Sequence, residues 1–235
     1  MPVPLPQQLT PGTVVAHRGN RVAERENTVA AFASAAAAGA DAIELDVRRT
    51  GDDELVIHHN AIVDGVGAII DLTADELCQA APWIPSLAEG LAACDGMWVN
   101  VEIKNSQDDP DWDPERSVAA TLADRIDKTG VIVSSFDWES AEMAKEAGWP
   151  TALLANSAPR RAMERVMDDG HRAINPHARL LDGSQAAELG GAAASGGIWI
   201  MAWTVNDPQE ATRLKAAGVH AIITDDPAMI SSSLG

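Results

Sequence analysis

The chain has no tyrosine, two phenylalanines and two cysteines among its 235 residues. Cys78 and Cys94 lie outside any CxxC spacing or Cys/His cluster, so neither a disulfide framework nor a thiolate zinc site is available, and both are read as reduced, partly buried thiols. Positive charge is scarce too: 17 Lys and Arg against 35 Asp and Glu leave a formal net charge of −18. Such a field repels nucleic acid and anionic membrane surfaces, so neither is expected as a partner, and a bound anion needs local positive charge or a metal. No apolar run is long enough to span a bilayer, which argues against integral membrane association. Met1–Gly12 carries prolines and glutamines where a secretory signal has a basic start and an apolar core, so a cytoplasmic location is expected. No feature of the sequence sets an oligomeric state.

No Gly/Ser linker, charge block or repeated unit divides the chain, and a single domain over residues 1–235 is the expectation. Short apolar or β-branched runs alternate with Ala-rich helical stretches, the pattern of successive βα units around a parallel sheet. Eight runs read as strands: Thr13–His17, Ala42–Asp46, Trp98–Ile103, Val131–Ser134, Thr151–Leu154, Arg172–Asn175, Ile198–Trp203 and Ala221–Thr224. Helices are expected near Thr28–Ala38, Ser86–Ala93, Glu115–Asp127, Glu139–Ala147, Arg160–Asp168, Ser184–Ala194 and Pro208–Ala217, and the polar stretch Asn105–Pro114 reads as a loop. The implied fold is a (β/α)₈ TIM barrel. One run breaks the alternation: Leu55–His59 follows too soon after Ala42–Asp46 for a crossover helix, so a β-hairpin extension after the second strand is the simpler connection. A turn centred on Asp52–Asp53 would set His59 opposite Asp46, with Glu44 on the same face. The alternative is a plain hairpin with polar residues on its wet side.

Polar residues gather where the apolar strands end: His17-Arg18-Gly19, Glu44-Leu45-Asp46, Glu102-Ile103-Lys104, Asn175-Pro176-His177 and Trp203-Thr204-Val205-Asn206. In a barrel those ends converge on one face, where (β/α)₈ enzymes keep their active sites. Alternation gives Glu44 and Asp46 one facing, with Glu102 arriving from the next strand. Three carboxylates suit a hard divalent cation, Ca²⁺ or Mg²⁺, rather than zinc. Phosphodiester cleavage requires charge neutralisation on the nonbridging oxygens, a base and an acid. The metal on Glu44, Asp46 and Glu102, the cations Arg18 and Lys104, and the histidines His17 and His59 supply all three. Taken singly, Glu-x-Asp is a solvated strand end, His17 a packed strand residue and Lys104 a structural partner of Glu102.

These motifs give the chain a resemblance to the glycerophosphodiester phosphodiesterase family over nearly its whole length. Val14-Val15-Ala16-His17-Arg18-Gly19 resembles the opening HRG motif, Glu26-Asn27-Thr28 the ENT motif after it, and Ile43-Glu44-Leu45-Asp46-Val47 the next strand. Leu55–His59, Val101-Glu102-Ile103-Lys104, Ser134-Ser135-Phe136, Ile174-Asn175-Pro176-His177, Ala202-Trp203-Thr204-Val205-Asn206 and Ile222-Ile223-Thr224-Asp225 follow in the family's order. Each is weak alone and the ordered series is strong.

The resemblance implies a metal on Glu44, Asp46 and Glu102, general acid and base at His17 and His59, and phosphate held by Arg18 and Lys104. Trp203 is then the aromatic candidate for a wall against the glycerol moiety, or else a core tryptophan. The implied reaction hydrolyses a small-molecule glycerophosphodiester to sn-glycerol 3-phosphate and an alcohol, by direct water attack or through a cyclic phosphate. A lysophospholipase D-like phosphodiesterase and a catalytically silent phosphate-ligand binding barrel are the alternatives. Two departures bear on the site. The family strand normally ends in His-Asp, whereas this chain reads His58-His59-Asn60, and the segment from Ala61 to Pro85 is shorter than expected.

Overall fold

The computed structural model describes residues 1–235. β1 (Thr13–His17), α1 (Val29–Ala35) and β2 (Ala42–Arg49) open the fold, and a tight turn returns β2 into β3 (Leu55–Ile57). A small hairpin of β4 (Ile62–Val63) and β5 (Gly67–Ala68), then α2 (Ala74–Ala80), lead to α3 (Leu87–Ala93). From β6 (Trp98–Ile103) strand and helix alternate regularly. The series runs α4 (Ser117–Arg125), β7 (Val131–Ser135), α5 (Trp138–Glu146), β8 (Thr151–Ala155), α6 (Pro159–Asp169), β9 (Ala173–Pro176) and α7 (Gly183–Gly196). It ends with β10 (Trp199–Ala202), α8 (Pro208–Ala216), β11 (Ala221–Thr224) and α9 (Pro227–Leu234). Eight parallel strands close in the order β1, β2, β6, β7, β8, β9, β10, β11 and back to β1. The fold is therefore a (β/α)₈ barrel with a hairpin extension after its second strand.

The extension exists because β1 is short. β1 pairs with β2 only over Ala42–Glu44, so the far edge of β2 is free to take β3 antiparallel, Val47 opposite Ile57 and Arg49 opposite Leu55. That register differs from the expected one by a residue. Continued, it sets Asp46 against His58, whose amide donates to the Asp46 carbonyl at 3.0 Å. The cause is the turn, which is centred on Asp52 alone: Thr50 N donates to Glu54 O at 2.9 Å and Asp53 adopts φ +64°. β3 also stops at Ile57, so strand alternation does not govern where the histidines point.

Side-chain caps start several helices. The Thr28 hydroxyl accepts from Ala31 N, and reciprocal capping boxes open α2 through Thr73 and Glu76 and α3 through Ser86 and Glu89. Two helices lie outside the expected set. α2, at seven residues, is too short to show a helical period, and α9 is rich in serine, yet Asp226 caps it and Pro227 opens it. The other helices begin and end within a turn of expectation. Gly90 on α3 lets the extension pack closely, since a Cβ there would come within 2.1 Å of Ile57 Cδ1.

Along each barrel strand alternate residues face the lumen. Its floor is apolar: Val15, Ala42, Trp98, Ile132, Ala152, Ala173, Trp199, Met201, Ala221 and Ile223 form one buried cluster, which Leu9 of the N-terminal segment joins. Two tryptophans, their rings 6.1 Å apart, fill the width left by four facing alanines, a large-to-small complementarity that closes the lumen. One step up each strand the lumen turns polar, with Glu44, Asn100, Ser134 and Asn175 all buried. No helix is long and apolar enough to cross a membrane.

Candidate active site

The polar layer rises to the C-terminal mouth. β1 delivers His17, and the chain then turns sharply through Arg18 at φ +60° and Gly19 at φ +81°. A side chain at Gly19 would meet the backbone carbon of Ala31 at 2.7 Å, so only glycine allows the loop to lie against α1. The turn points the Arg18 amide at Glu44 Oε2 (3.0 Å) and its guanidinium at Glu26 Oε1 (2.8 Å) and Asp46 Oδ2 (3.2 Å). Asn27, also at positive φ, donates from Nδ2 to Asp46 Oδ2 at 2.7 Å. The Glu26-Asn27-Thr28 motif thus builds the site, Thr28 by capping α1.

Glu44, Asp46 and Glu102 are all buried, and one oxygen from each lies within 4.8 Å of the others. Lys104 Nζ reaches Asp46 Oδ1 at 2.8 Å and Glu102 Oε1 at 2.5 Å. Burial pushes Glu44 well above the ordinary carboxylate range, and the neighbouring charges of Asp46 and Glu102 add to it. Glu102 is also raised, chiefly by burial, against the pull of Lys104. Burial would raise Asp46 as well, but the charges of Lys104, Arg18 and His59 overcome it and hold Asp46 far below its usual value. Glu44 Oε1 is buried without a hydrogen-bond partner, a costly state that a cation would relieve. Three convergent oxygens and an orphaned carboxylate atom fit a divalent metal. A second group, Glu142, Asp169 and His171, lies away from the mouth, and there Lys145 and Arg165 already neutralise the two carboxylates.

His17 and His59 flank the carboxylates from two directions. His17 Nε2 is 4.0 Å from Glu44 Oε2, and Nδ1 is 2.6 Å from Asp225 Oδ1. Asp225 is locked in turn by Asn206 Nδ2 on Oδ2 (2.7 Å) and Arg21 Nη1 on Oδ1 (3.2 Å). Burial favours its neutral form, but the hydrogen bonds from His17 and Asn206 win and lower it to about 2. His59 stands beyond the end of β3, beside a hollow of about 550 Å³ that Glu102, Lys104, Asn105 and Phe136 also line. Its Nδ1 lies 2.8 Å from Asn60 Oδ1, so an amide oxygen takes the place of the expected carboxylate. Burial lowers the His59 pKa; the Asp46 charge opposes this and those of Lys104 and Arg18 add to it. His58 lines an adjoining hollow with Arg25, Glu26 and Trp83, which shares Asn60, Ile62 and Asp64 with the first, and its Nδ1 is 2.8 Å from Asn60 O. Trp203 is half-buried, anchored by Nε1 on Asn175 O (2.8 Å), with Phe136 edge-on at 5.3 Å and His177 at 4.7 Å.

The structure therefore brings His17, Arg18, Glu44, Asp46, His59, Glu102 and Lys104 to one mouth, while Trp203, past the end of β10, packs in part against the apolar floor. Sequence reasoning assigned no role to Asp225, Asn27 or Arg48. The first was legible: on β11 the lumen-facing positions Ala221 and Ile223 lead by alternation to Asp225. The Asn27 contact depends on a positive-φ turn that no periodicity reveals.

A (β/α)₈ barrel with these groups at its C-terminal mouth is an enzyme of the phosphoric diester hydrolase class. The sequence pattern of the glycerophosphoryl diester phosphodiesterase family matches residues 17–229, and the chain belongs to that family. Among its relatives, a glycerophosphodiester phosphodiesterase of Caldanaerobacter subterraneus subsp. tengcongensis is 31% identical over 236 residues, covering 91% of this chain and 94% of the relative. The crystal structure of a glycerophosphodiester phosphodiesterase from Thermotoga maritima superposes with a TM-score of 0.79 at 27% identity, over 94% of this chain and 97% of that one. A phosphodiesterase of Oleispira antarctica, solved with the product sn-glycerol-3-phosphate, gives a TM-score of 0.78 at 26% identity, over 94% of this chain and 96% of that one.

Proposed function

We propose that this chain hydrolyses glycerophosphodiesters to sn-glycerol 3-phosphate and an alcohol, with a divalent metal, Ca²⁺ or Mg²⁺, held by Glu44, Asp46 and Glu102. The observation that carries the reading is the convergence of those three buried carboxylates between two histidines, one backed by Asp225 and the other by Asn60. The product bound to the Oleispira relative supports the same product class. When bound, the metal supplies positive charge against the nonbridging phosphate oxygens.

The chain's own residues do the rest. Arg18 and Lys104 add charge at the phosphate, sharing it with the carboxylates they already touch. Asp225 accepts from Nδ1–H of His17, which leaves Nε2 facing the mouth as a base or, once protonated, an acid. Asn60 Oδ1 does the same for His59 without a full negative charge, and burial disfavours the imidazolium there. One histidine takes a proton from the attacking hydroxyl, either of water or of the neighbouring glycerol, and the other gives one to the departing alkoxide; in the glycerol route water then opens the cyclic phosphate with the two histidines in exchanged roles. Trp203, with Phe136 against its edge, forms the wall beside the glycerol moiety. The hollow beside His59 is lined by ten polar or ionisable residues and five apolar ones, and the ionisable groups support a polar leaving alcohol.

Purified protein assayed on glycerophosphocholine, glycerophosphoethanolamine, glycerophosphoglycerol and a lysophospholipid, each with Ca²⁺, Mg²⁺ or EDTA, tests the reading. Glycerol 3-phosphate should appear from the first three and cease in EDTA. Turnover confined to the lysophospholipid would refute the substrate assignment, and full turnover in EDTA would refute the metal.

A further inference from the structure

β2 carries a third ionisable residue in line with Glu44 and Asp46. Two residues beyond Asp46, Arg48 has a side chain only 3% exposed, and it makes no contact with the three carboxylates of the metal cluster. Its guanidinium is fully committed elsewhere. Nε and Nη2 both donate to the His59 carbonyl, at 2.9 and 2.7 Å. Nη1 donates to both oxygens of Asp111, at 2.8 and 2.6 Å, and Nη2 also reaches Asp109 Oδ2 at 2.9 Å. With all three nitrogens engaged and the side chain buried, Arg48 is turned to its protein partners rather than to a phosphate oxygen, although it borders the same hollow as His59.

His59 needs such an anchor. The ladder between β2 and β3 makes its last contact at His58 N, so the backbone carrying His59 has already left the sheet. Asn60 sets the rotation of the imidazole but is itself exposed and on the same loop, so it cannot fix where the loop stands. Arg48 stands on β2 one residue beyond its ladder with β6, paired there with Val56 of β3, and it grips the loop that follows β3 by the His59 carbonyl. Through Asp109 and Asp111 it also ties in the loop between β6 and α4, which forms the opposite wall of the hollow.

We propose that Arg48 is a positioning residue for the reaction: clamped between Asp111 and the His59 carbonyl, it holds the His59 imidazole at the reacting phosphodiester. The inference rests on the acid/base reading of His59 made above. Lysine at this position keeps the charge but is a point donor that cannot span the His59 carbonyl and both aspartates at once.

The test is a double-mutant cycle on glycerophosphocholine under saturating divalent metal, with Arg48→Lys, His59→Ala and the double variant, read at high enzyme concentration. Arg48→Lys should fall about tenfold to a hundredfold in kcat with KM changed by no more than about twofold, because misplacement of a reacting group acts on the transition state. Its metal-induced rise in Tm should equal the parent's. In the His59→Ala background, Arg48→Lys should change kcat by less than about twofold, since residues acting as a unit are not additive. Asp111→Asn, which leaves Arg48 in place but weakens its clamp, should show the same split in milder form and serves if Arg48→Lys does not fold. Equal fold-losses from Arg48→Lys with and without His59, or parental kcat in Arg48→Lys or in a folded Asp111→Asn, would overturn the proposal. Parental kcat in His59→Ala would instead overturn the acid/base reading beneath it.

Discussion

The Asp225→Asn variant separates the orientation of His17 from the charge behind it. In the native arrangement Asp225 accepts on both oxygens: Oδ1 from His17 and Arg21, Oδ2 from Asn206 Nδ2. Asparagine has one acceptor, so the new amide must choose. With its oxygen toward His17, its Nδ2 faces Asn206 Nδ2, donor against donor. Asn206 cannot flip to relieve this, because its Oδ1 already accepts from Thr224 Oγ1 (3.0 Å) and Asp225 N (2.9 Å). With its nitrogen toward His17, the imidazole must accept on Nδ1 and carry its proton on Nε2, the wrong tautomer for a base facing the phosphate. A wrong tautomer or a lost acid/base group costs about 10²–10⁴-fold in kcat. The companion double variant Asp225→Asn/Asn206→Asp restores an acceptor opposite the new amide nitrogen, and so recovers the tautomer without the carboxylate. It should regain about tenfold or more of the loss while staying below the parent. Stability follows from the lowered pKa. A carboxylate at about 2 in the fold, against the usual 3.8, stabilises fully above pH 4 and loses that stabilisation as pH falls through 2. For a half-exposed group this amounts to about 1 kcal/mol after solvent screening. Steady-state kinetics at pH 7 and thermal melts of metal-free protein between pH 2 and 6 read both effects. Parental kcat in Asp225→Asn, with a melting curve parallel to the parent's down to pH 2, would show that His17 does not depend on Asp225.

Further outcomes are expected. Glu102→Gln and Glu44→Gln should each lose most of the metal-induced rise in Tm together with activity, yet melt no lower than the parent in EDTA, since removing one of three crowded charges relieves repulsion; loss of activity with an unchanged metal shift contradicts the ligand assignment. His59→Ala should lose about 10²–10⁴-fold in kcat and His58→Ala far less, because His58 faces a different hollow; the reverse ranking in well-folded proteins refutes the choice of His59. Gly19→Ala should cost about 2 kcal/mol, lowering Tm by roughly 4–8 °C, from positive φ and the 2.7 Å approach to Ala31; an unchanged Tm would show that the turn can relax.

Much of the barrel was visible in the sequence because parallel barrel strands are buried on both faces and read as short apolar runs, and because polar residues at their C-terminal ends stand out against them. Thr13–His17, Trp98–Ile103 and Ala221–Thr224 have the same limits in the structure as in the reading. The hairpin was legible as a connection but not as a register: moving the turn centre by half a residue, onto Asp52, shifts every pair in the ladder by one. His59 reaches the carboxylates because the strand ends at Ile57 and Arg48 and Asn60 hold the loop, a tertiary arrangement with no period to read. Asn27, whose Asp46 contact depends on a left-handed turn, was hidden for the same reason.

The tryptophan floor has a consequence for traffic through the molecule. Trp98 and Trp199 close the lumen beneath Asn100 and Asn175, with Arg172 stacked over the Trp199 ring at 4.3 Å, so the barrel has a single door. Substrate, phosphate-bearing product and freed alcohol all share it. On the proposed function, both products would leave past Phe136 and the loop that Arg48 tethers, and a phosphate monoester held by Arg18 and Lys104 would sit where the next substrate must bind. A rising pool of that monoester would then occupy the only entrance and throttle turnover by crowding the doorway, a brake that needs no second site.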